Sequence, residues 1–385
     1  MSQKIRVLEL LVSTDLGGGP IHVRDLIAGL SREEFEITVA GPGGGPLVDA
    51  YRGLGADFVD LPLDRLSVWK NYWRVRRLIH DRHIQVVHSH GKGAGLVGRL
   101  AALFAPVKAV HTFHGLHADD PRIGRRPYVG LERLLAMVTD VLIHVSPGQA
   151  REAESLGLAP HGRTKVIVNA TDSAKVRALA ETHSLSREAL GLPTGATVLG
   201  TVARFDPIKD LDVLVEAFAL LRRQSPDTWL LIVGDGPERG RLESLAKDLG
   251  VQDRVVFPGF IPDAPRCLPA IDLYVSASRR EGLPLGLLEA MACGLPVVAT
   301  RVPGHEDVIE HRASGLLVSP NDPRAFADAA AELLGDAERR RRMGAAGRLR
   351  VEREFSASRM AAETAGVYRV AAGNFQGPRT GAPSV

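Results

Sequence analysis

The chain has 385 residues, a formal net charge of +3 at pH 7 and 45% hydrophobic residues, enough apolar material for two domains of ordinary size. Aromatic residues make up only 5% of the chain, whereas glycines number 40. That balance is typical of α/β folds, in which many tight turns join strands to helices.

The composition also indicates where the chain works. Its two cysteines, Cys267 and Cys293, show neither metal-ligand spacing nor a pairing pattern, which favours a reducing compartment. The N-terminus enters a strand directly, so we expect no signal peptide. No run of about 18 apolar residues occurs, so we expect no transmembrane helix. The sequence therefore predicts a cytoplasmic protein.

Strands and helices alternate along the first half of the chain. An apolar strand over Ile5–Leu11 leads through a glycine-rich loop into an amphipathic helix over Ile21–Leu30. Further strands are predicted at Phe35–Ala40, Val86–His90, Ala109–Phe113 and Val141–Val145. This order is typical of a doubly wound sheet.

The second half shares this architecture. Strands are predicted at Val198–Ala203, Trp229–Val233, Val255–Pro258, Leu273–Ser276 and Pro296–Ala299, and helices at Leu211–Arg223 and Gly240–Leu249. We therefore expect two Rossmann-like domains, 1–180 and 181–372, that face a cleft. The last helix either belongs to the second domain or returns to the first. The Gly/Pro-rich residues 373–385 are expected to be disordered.

The most informative segment runs from Glu281 to Glu289, where a loop containing Gly282, Pro284 and Gly286 leads into a helix. The first N–H groups of a helix lack partners and carry partial positive charge, so they suit a phosphate or a sugar hydroxyl. Two carboxylates flanking such a helix start could bind the hydroxyls of a nucleotide-sugar. The alternative is an ordinary turn with surface acids, but Glu-Gly-Leu-Pro is not the composition of a helix surface.

Two cations, Arg204 and Lys209, follow a predicted strand end. Ligands of open α/β sheets bind outside the carboxyl ends of the strands. The two cations would there neutralise a diphosphate, most strongly as it leaves. A solvated surface pair is the alternative, but the strand end and the Glu281 segment downstream favour phosphate binding.

Metal chemistry is not expected. Seven histidines lie between His80 and His117, without a His-Glu-x-x-His pattern or a cysteine partner, which favours polar residues at strand ends over metal ligands. Asp210 and Asp212 look like an Asp-x-Asp metal motif, but they stand at a predicted helix start, where aspartate caps N–H groups. We therefore expect neither a metal nor a cofactor.

The segment Glu281 to Glu289, with its two glutamates eight positions apart, resembles the Glu-x7-Glu motif of retaining GT-B glycosyltransferases, called family 4 or group 1. Arg204 and Lys209 match the family's Arg…Lys pair, although Ala203 replaces the usual glycine before the arginine. Further similar segments, within a resemblance that covers the whole chain, are Gly234–Pro237, Val256–Phe260 and Gly315–Asp322.

The resemblance implies a GT-B fold and retaining transfer of a hexosyl group from a UDP- or GDP-linked sugar. It assigns His114 and Glu281 to the donor sugar, Arg204 and Lys209 to the diphosphate and Glu289 to the ribose. The implied catalytic residues are Glu281, His114, Arg204 and Lys209. The implied donor-binding residues are Gly18, Gly19, Arg204, Lys209, Gly234, Phe260, Glu281, Gly282, Leu285, Gly286 and Glu289.

A basic stretch suggests where the acceptor is met. Between Arg65 and Arg133 there are 13 Lys/Arg against 4 Asp/Glu, with Trp69 and Trp73 among them and a second cluster at Arg122–Tyr128. Aromatic residues beside cations suit an anionic membrane surface, and a solvated helix is the alternative. Nucleic acid is not expected, because no binding motif accompanies the stretch. We expect a glycan or lipid-linked acceptor. Peripheral binding of the enzyme to the inner face of the cell membrane is compatible with this stretch.

Two other functions are compatible with this fold. A nucleotide-sugar epimerase would release free nucleotide and an epimerised sugar without an acceptor. A non-catalytic partner subunit would more often lose Glu281 or Lys209, and this chain has both.

Overall fold

The computed structural model describes residues 4–63, 67–116 and 125–373, which divide into two units. The first unit extends to Asn169 and resumes at Ala357; the second is Ala170–Ser356. The first boundary therefore lies ahead of the position 180 expected from the sequence, and the last helix lies in the first unit. Apart from Gly373, the tail expected to be disordered lies outside the described residues.

The first unit contains a parallel sheet of seven strands in the order β3-β2-β1-β4-β5-β6-β7. Its strands are β1 Ile5–Leu10, β2 Phe35–Gly41, β3 Asp57–Asp60, β4 Val86–His90, β5 Lys108–Phe113, β6 Val141–His144 and β7 Thr164–Val166. Its helices are α1 Gly18–Gly29, α2 Leu47–Gly53, α3 Val68–Asp81, α4 Gly91–Leu103, α5 Arg125–Met137, α6 Pro147–Ser155 and, from the end of the chain, α14 Ala357–Gly373.

The second unit contains a parallel sheet of six strands in the order β10-β9-β8-β11-β12-β13. Its strands are β8 Thr197–Val202, β9 Thr228–Val233, β10 Val255–Gly259, β11 Leu273–Ser276, β12 Val297–Thr300 and β13 Leu316–Val318. Its helices are α7 Ser173–Thr182, α8 Leu211–Leu221, α9 Arg239–Asp248, α10 Leu285–Ala292, α11 Pro303–Val308, α12 Pro323–Leu334 and α13 Ala337–Glu354, with 3-10 turns at Glu188–Leu190, Pro207–Lys209 and Ala264–Ala270.

The central strands are buried on both faces, as in parallel sheets covered by helices. In the first unit Leu8 and Val87 pack against Val75 of α3 and Val97 of α4. In the second, the core is formed chiefly by the central strands with α8 and α12, and Phe218 and Phe326 are fully buried. The doubly wound α/β fold predicted for both halves is confirmed. Among the described residues, no helix combines the length and the apolar composition needed to cross a bilayer.

One helix starts earlier than predicted. The apolar periodicity indicates a start at Ile21, whereas α1 begins at Gly18 and has Pro20 in its first turn. Proline is tolerated there because the first N–H groups of a helix lack partners in any case. Gly18 and Gly19 therefore form the helix N-terminus itself rather than a separate loop.

Candidate active site

The predicted donor loop ends at the start of α10. Pro284 occupies the N-cap position in an extended conformation, and no side chain caps the helix. The first hydrogen bond of the helix runs from the N–H of Leu288 to the carbonyl of Pro284 (3.2 Å). The N–H groups of Leu285 and Gly286 lie before this bond, at the open end of the helix. The helix therefore starts as the sequence predicts, with backbone donors at its end.

Close packing explains why Gly286 has no side chain. A Cβ at this position would lie 2.9 Å from the hydroxyl of buried Tyr274 and 3.1 Å from the carbonyl oxygen of Val202. The same tyrosine hydroxyl donates to that carbonyl (3.3 Å). The start of α10 is thus held close to the carboxyl end of β8, where Arg204 follows.

Lys209 and Glu281 form an ion pair. The Nζ of Lys209 donates to Oε1 of Glu281 (2.6 Å), and the hydroxyl of Ser278 donates to the same oxygen (2.7 Å). The side chains are 25% and 11% exposed, so the pair is largely shielded from water but still reachable. The N–H of Arg279 also donates to the carbonyl of Ile208 (2.9 Å), which ties the two loops together. The structure thus joins two residues that the sequence presents in separate motifs.

Electrostatics keep Glu281 ionised. Burial alone would raise the pKa of Glu281, but Lys209, His305 and the Ser278 hydroxyl outweigh burial and hold this pKa below its usual value. His305 is fully buried, with Nδ1 2.8 Å from the carbonyl oxygen of Thr300 and Nε2 3.1 Å from the hydroxyl of Ser276. Sequence reasoning missed His305 and Ser278, because neither belongs to a recognisable motif.

Arg204 lies apart from this ion pair. Its side chain is 71% exposed, and its Nε donates to Oδ2 of Asp206 (2.7 Å). Arg204 therefore stands at the predicted strand end, but its partner here is Asp206. Lys209 lies five residues further on, at the end of the 3-10 turn Pro207–Lys209.

The glycines of the Gly234 loop permit a close approach to the end of β8. Gly234 has φ 134°, and a Cβ there would lie 1.9 Å from the carbonyl oxygen of Ala203. The N–H of Gly234 donates to the carbonyl of Gly259 (2.9 Å). Phe260, which follows, is 53% exposed. This loop and Phe260 therefore lie beyond adjacent strands β8, β9 and β10, at the carboxyl edge of the sheet.

The remaining predicted donor residues lie on α10 or just before it. Gly282 is buried in the loop, Leu285 is the first residue of the helix, and Glu289 is half-buried within it. Their assignment to the donor remains a prediction from the resemblance.

The capping interpretation is wrong for Asp210, whereas Asp212 lies in the first turn of α8, where its negative charge suits the helix start. Asp210 occupies the N-cap position of α8, but with φ 51° its side chain caps no N–H group. Its carboxylate accepts instead from the guanidinium of Arg279, and that of Asp212 pairs with Arg241 (3.2 Å). Charged donors thus replace the backbone N–H groups as partners, since charge-assisted hydrogen bonds are the stronger ones.

In the first unit, Gly19 at the start of α1 approaches His114. A Cβ on Gly19 would lie 3.3 Å from Cδ2 of the His114 ring, whereas a Cβ on Gly18 would contact nothing within 4 Å. Gly17 at the N-cap offers no side chain to the first N–H groups. The structure thus brings His114 to the helix start that the sequence proposed as part of the same site.

A buried polar network, which we call the His114 network, surrounds this histidine. Nε2 of His114 lies 3.0 Å from Nδ1 of His90, and Nε2 of His90 lies 2.7 Å from Oε2 of Glu9. The hydroxyl of Tyr368 donates to Oε1 of Glu9 (2.6 Å), and Nδ1 of His88 lies 3.2 Å from Oε2 of Glu9. Sequence reasoning missed Glu9 and Tyr368; the one available signal was a glutamate inside an apolar strand.

Three histidines here are kept neutral by their surroundings: His90 and His114 of the network, and His22, whose ring packs beside both. Burial, reinforced by His88, lowers the pKa of His90 to about 4 against the opposing effect of Glu9. Burial together with His22 and His90 lowers the pKa of His114 well below its usual value. The pKa of His22 falls to about 4 through burial and His90, although its hydrogen bond to Asn169 (2.9 Å) opposes the change.

The same histidines could hold a metal ion. One nitrogen from each of His22, His90 and His114 lies within 4.8 Å of the others, and Glu9, His88 and His90 form a second such group. Spacing along the sequence did not show this, because the residues come from α1, β1, β4 and the end of β5. The 3.0 Å separation between His90 and His114 is that of a hydrogen bond. The expectation of a metal-independent enzyme therefore needs a direct test.

The basic stretch forms an exposed aromatic surface on α3. Trp69 and Trp73 are 76% and 65% exposed, and Phe104 after α4 is 70% exposed. The guanidinium of Arg76 donates to the carbonyl of Phe104, so that cation is partly engaged. Neither tryptophan of α3 is buried. Arg122 and the side chain of Arg125 lie outside the described residues.

Comparisons with known proteins agree with this architecture. Residues 183–350 match the family Glycosyl transferases group 1, and residues 16–175 match Glycosyltransferase Family 4. The crystal structure of Anabaena Alr3699/HepE in complex with UDP and glucose has the same fold, with a TM-score of 0.83 and 22% sequence identity. The superposition covers 95% of this chain and 100% of the HepE chain.

Two curated relatives are enzymes. The D-inositol 3-phosphate glycosyltransferase of Thermobispora bispora is 32% identical over 332 residues, which are 81% of this chain and 76% of the relative. The UDP-Gal:alpha-D-GlcNAc-diphosphoundecaprenol alpha-1,3-galactosyltransferase of Escherichia coli is 28% identical over 319 residues, which are 80% and 82% of the two chains. The chain therefore belongs to the group 1, family 4 glycosyltransferases and is a hexosyltransferase with the GT-B fold.

Proposed function

We propose that this hexosyltransferase uses a nucleoside-diphosphate sugar as its donor. It retains the configuration of the anomeric carbon and needs no metal ion. The ion pair between Lys209 and Glu281, beside the uncapped start of α10, carries the proposal. It places a cation, a carboxylate and backbone donors close together in space within the second unit. Those are the groups needed for a phosphate and the hydroxyls of a sugar.

Each group has a separate role in this proposal. The N–H groups of Leu285 and Gly286 and the ammonium of Lys209 bind the diphosphate, and Arg204 leaves Asp206 to join them. Glu281 accepts from hydroxyls of the sugar, and Glu289 accepts from the ribose. Because charge builds on the phosphate as the glycosidic bond breaks, the fixed cations stabilise the transition state more than the bound donor.

Retention follows if acceptor and leaving phosphate share one face of the sugar. The transition state is oxocarbenium-like, as in glycoside hydrolysis. The leaving phosphate oxygen takes the proton of the attacking hydroxyl as the new bond forms, so no covalent glycosyl-enzyme is required. The resemblance to retaining enzymes supports this course, and NMR of the anomeric proton in the first product formed tests it.

A uridine nucleotide is the donor that we propose first, with a guanosine nucleotide as the alternative. The HepE complex contains UDP and glucose, and the E. coli relative is named for UDP-Gal. The exposed ring of Phe260 beyond β10 offers a surface on which a base can stack.

A donor panel tests the function as a whole. UDP- and GDP-linked hexoses are compared by thermal shift and by slow release of free nucleotide. We expect one nucleotide class to raise the melting temperature and to be hydrolysed slowly without an acceptor. Release of an epimerised sugar would indicate the epimerase instead. Binding without turnover, also in the presence of lipid-linked and soluble acceptors, would indicate a non-catalytic subunit.

We also propose that the acceptor is reached at an anionic membrane surface. The E. coli relative is named for a diphosphoundecaprenol acceptor. In this chain Trp69, Trp73 and Phe104 are exposed, and on α5 Leu134 and Met137 are 59% and 62% exposed. Apolar side chains among cations suit insertion at a lipid headgroup layer.

A further inference from the structure

Three histidines of the first unit converge from separate elements, and we call them the three-histidine cluster. His22 lies on α1, His90 ends β4 and His114 follows β5. One ring nitrogen from each lies within 4.8 Å of the others. The ring centroid of His22 is 5.6 Å from that of His90 and 4.9 Å from that of His114. The three imidazoles therefore surround one small volume.

Two of these rings are held at their outer nitrogen by an oxygen atom. Nδ1 of His22 lies 2.9 Å from Oδ1 of Asn169, and Nε2 of His90 lies 2.7 Å from Oε2 of Glu9. Nε2 of His22 and Nδ1 of His90 are thus the nitrogens left for an ion in the cluster. Histidines that ligate a metal are almost always oriented in this way, by an oxygen partner at the nitrogen that does not bind the ion.

We propose that the three-histidine cluster is a binding site for a transition-metal ion, zinc above all, and that the bound ion inhibits the enzyme by holding His114. Imidazole nitrogens suit zinc, nickel and copper, and three histidines leave the fourth position of a tetrahedral zinc ion to water. Two nitrogens on one such ion lie roughly 3.4 Å apart. Nδ1 of His90 and Nε2 of His114 are 3.0 Å apart, so this pair has to separate only slightly.

The neighbouring group of Glu9, His88 and His90 is less suited to an ion. Nδ1 of His88 lies 2.5 Å from the hydroxyl of Tyr368, and its Nε2 lies 2.7 Å from a threonine hydroxyl of β5, so both nitrogens of this ring are already hydrogen-bonded. All members of that group are also buried, whereas His114 is half-buried. The three-histidine cluster is therefore the one that an ion can enter, on the side of His114.

An ion in the cluster interferes with the work of His114. It occupies Nε2 and fixes the ring, so the imidazole is no longer available to the donor sugar. The inhibitory role rests on the proposed function, which assigns His114 to that sugar, whereas the metal site itself does not. Inhibition that a chelator relieves is compatible with an enzyme that needs no metal ion for turnover.

Calorimetric titration of the chelator-treated, ligand-free protein with Zn²⁺ tests the site. We expect one ion per chain, and X-ray absorption of the zinc-loaded wild type should show three imidazole nitrogens. Asn169→Ala removes the outer partner of His22 and should weaken binding about 10–100-fold. His22→Asn removes a ligand and should weaken binding further. His144→Asn is the matched control, because His144 is also buried in the first unit but lies on β6 outside the cluster, and it should bind zinc like the wild type.

Turnover of UDP-glucose as the donor probe provides the second measurement. Zn²⁺ should inhibit the wild type and His144→Asn alike, and EDTA should restore their activity. His22→Asn retains His114 and should turn over the donor like the wild type when zinc is absent. Its inhibition should require a zinc concentration that is higher by about tenfold or more, in proportion to its loss of affinity.

The outcomes separate this inference from the proposed function. Wild-type protein that binds no zinc, or whose zinc has fewer than three imidazole ligands, overturns the inference even if the variants do not fold. Equal zinc affinity in His22→Asn and His144→Asn overturns it too, because the ion then lies elsewhere or responds only to general destabilisation. Zinc that binds in the cluster without slowing turnover overturns the inhibitory role. If no donor is turned over, the proposed function fails, while calorimetry on the ligand-free protein still decides the metal site.

Discussion

Nζ of Lys209 lies 2.6 Å from Oε1 of Glu281, although 72 residues separate the two in the chain. Both side chains are mostly shielded from solvent, so each one holds the other in position. A donor phosphate that enters beside α10 would compete with Glu281 for the same ammonium. Binding of the diphosphate and positioning of Glu281 toward the sugar are therefore expected to be coupled.

Lys209→Ala should impair turnover of the donor. Removal of the cation takes away stabilisation of the leaving diphosphate and leaves Glu281 without its charged partner. We expect kcat/KM to fall on the order of 10²-fold or more, with part of the loss in kcat. Lys175→Ala, which removes an exposed lysine on α7, is the control and should behave like the wild type. Unchanged turnover by a folded Lys209→Ala would remove the role assigned to this residue.

Substitution of the two glutamates should have different effects. Glu289→Ala should weaken binding of both the donor and the free nucleoside diphosphate, because its partner is the ribose. Glu281→Ala should lower kcat with a smaller effect on the free nucleotide, because its partner is the sugar. Calorimetric titration with UDP and with GDP measures the difference. Equal loss of nucleotide affinity in both variants would contradict the division of roles.

Acid should destabilise the first unit through its buried histidines. The pKa values of His22 and His90 are about 4 in the folded protein, below the usual 6.5. The unfolded chain therefore binds more protons between these values, and the free energy of unfolding should fall as pH falls from about 6.5 toward 4. Each histidine contributes a slope of roughly 1.4 kcal/mol per pH unit within that window.

Urea unfolding at pH 7.5, 6 and 5, followed by amide hydrogen exchange in the first unit, measures this slope. His22→Asn should reduce this slope by the contribution of one histidine, roughly 1.4 kcal/mol per pH unit. His161→Asn, at an exposed position, should leave it unchanged. A stability that does not vary from pH 7.5 to 5 would show that these histidines are not held neutral by the fold.

Activity should survive removal of metal ions. We expect full turnover after dialysis against EDTA, because Lys209, Arg204 and the start of α10 supply the positive charge that a metal would bring. Loss of activity that Mg²⁺ or Mn²⁺ restores would overturn this proposal. Elemental analysis of the purified protein tests separately whether His22, His90 and His114 carry a transition metal.

Binding to vesicles should depend on their charge. We expect sedimentation with anionic but not neutral liposomes, weakened by high salt because each cation near the surface contributes roughly 1 kcal/mol that ions screen. The double variant Trp73→Ala with Arg76→Glu should bind less. Lys247→Glu, on α9 of the second unit, is the control for the change of charge. Absence of binding to either vesicle, with full activity on a water-soluble acceptor, would exclude the membrane surface.

Local sequence patterns are sufficient to predict the architecture and the motifs. Apolar strands alternate with amphipathic helices, and glycine or proline marks the turns, so the central strands are predicted within one or two residues. The Glu281 segment and the Arg204–Lys209 segment are also local, since each follows one strand end. Short strands such as β3 and β7 were missed, because their exposed residues leave no apolar run.

Contacts between side chains that are distant in the sequence depend on the order of the strands in each sheet. Sheet order places β1 between β2 and β4, and β4 beside β5, so Glu9, His90 and His114 converge across 105 positions of sequence. Return of α14 to the first unit adds Tyr368 from the far end of the chain. Likewise, the loops after β8 and β11 meet because these strands are neighbours, which pairs Lys209 with Glu281. Local patterns do not contain strand order, since it depends on how helices and strands pack together into one core.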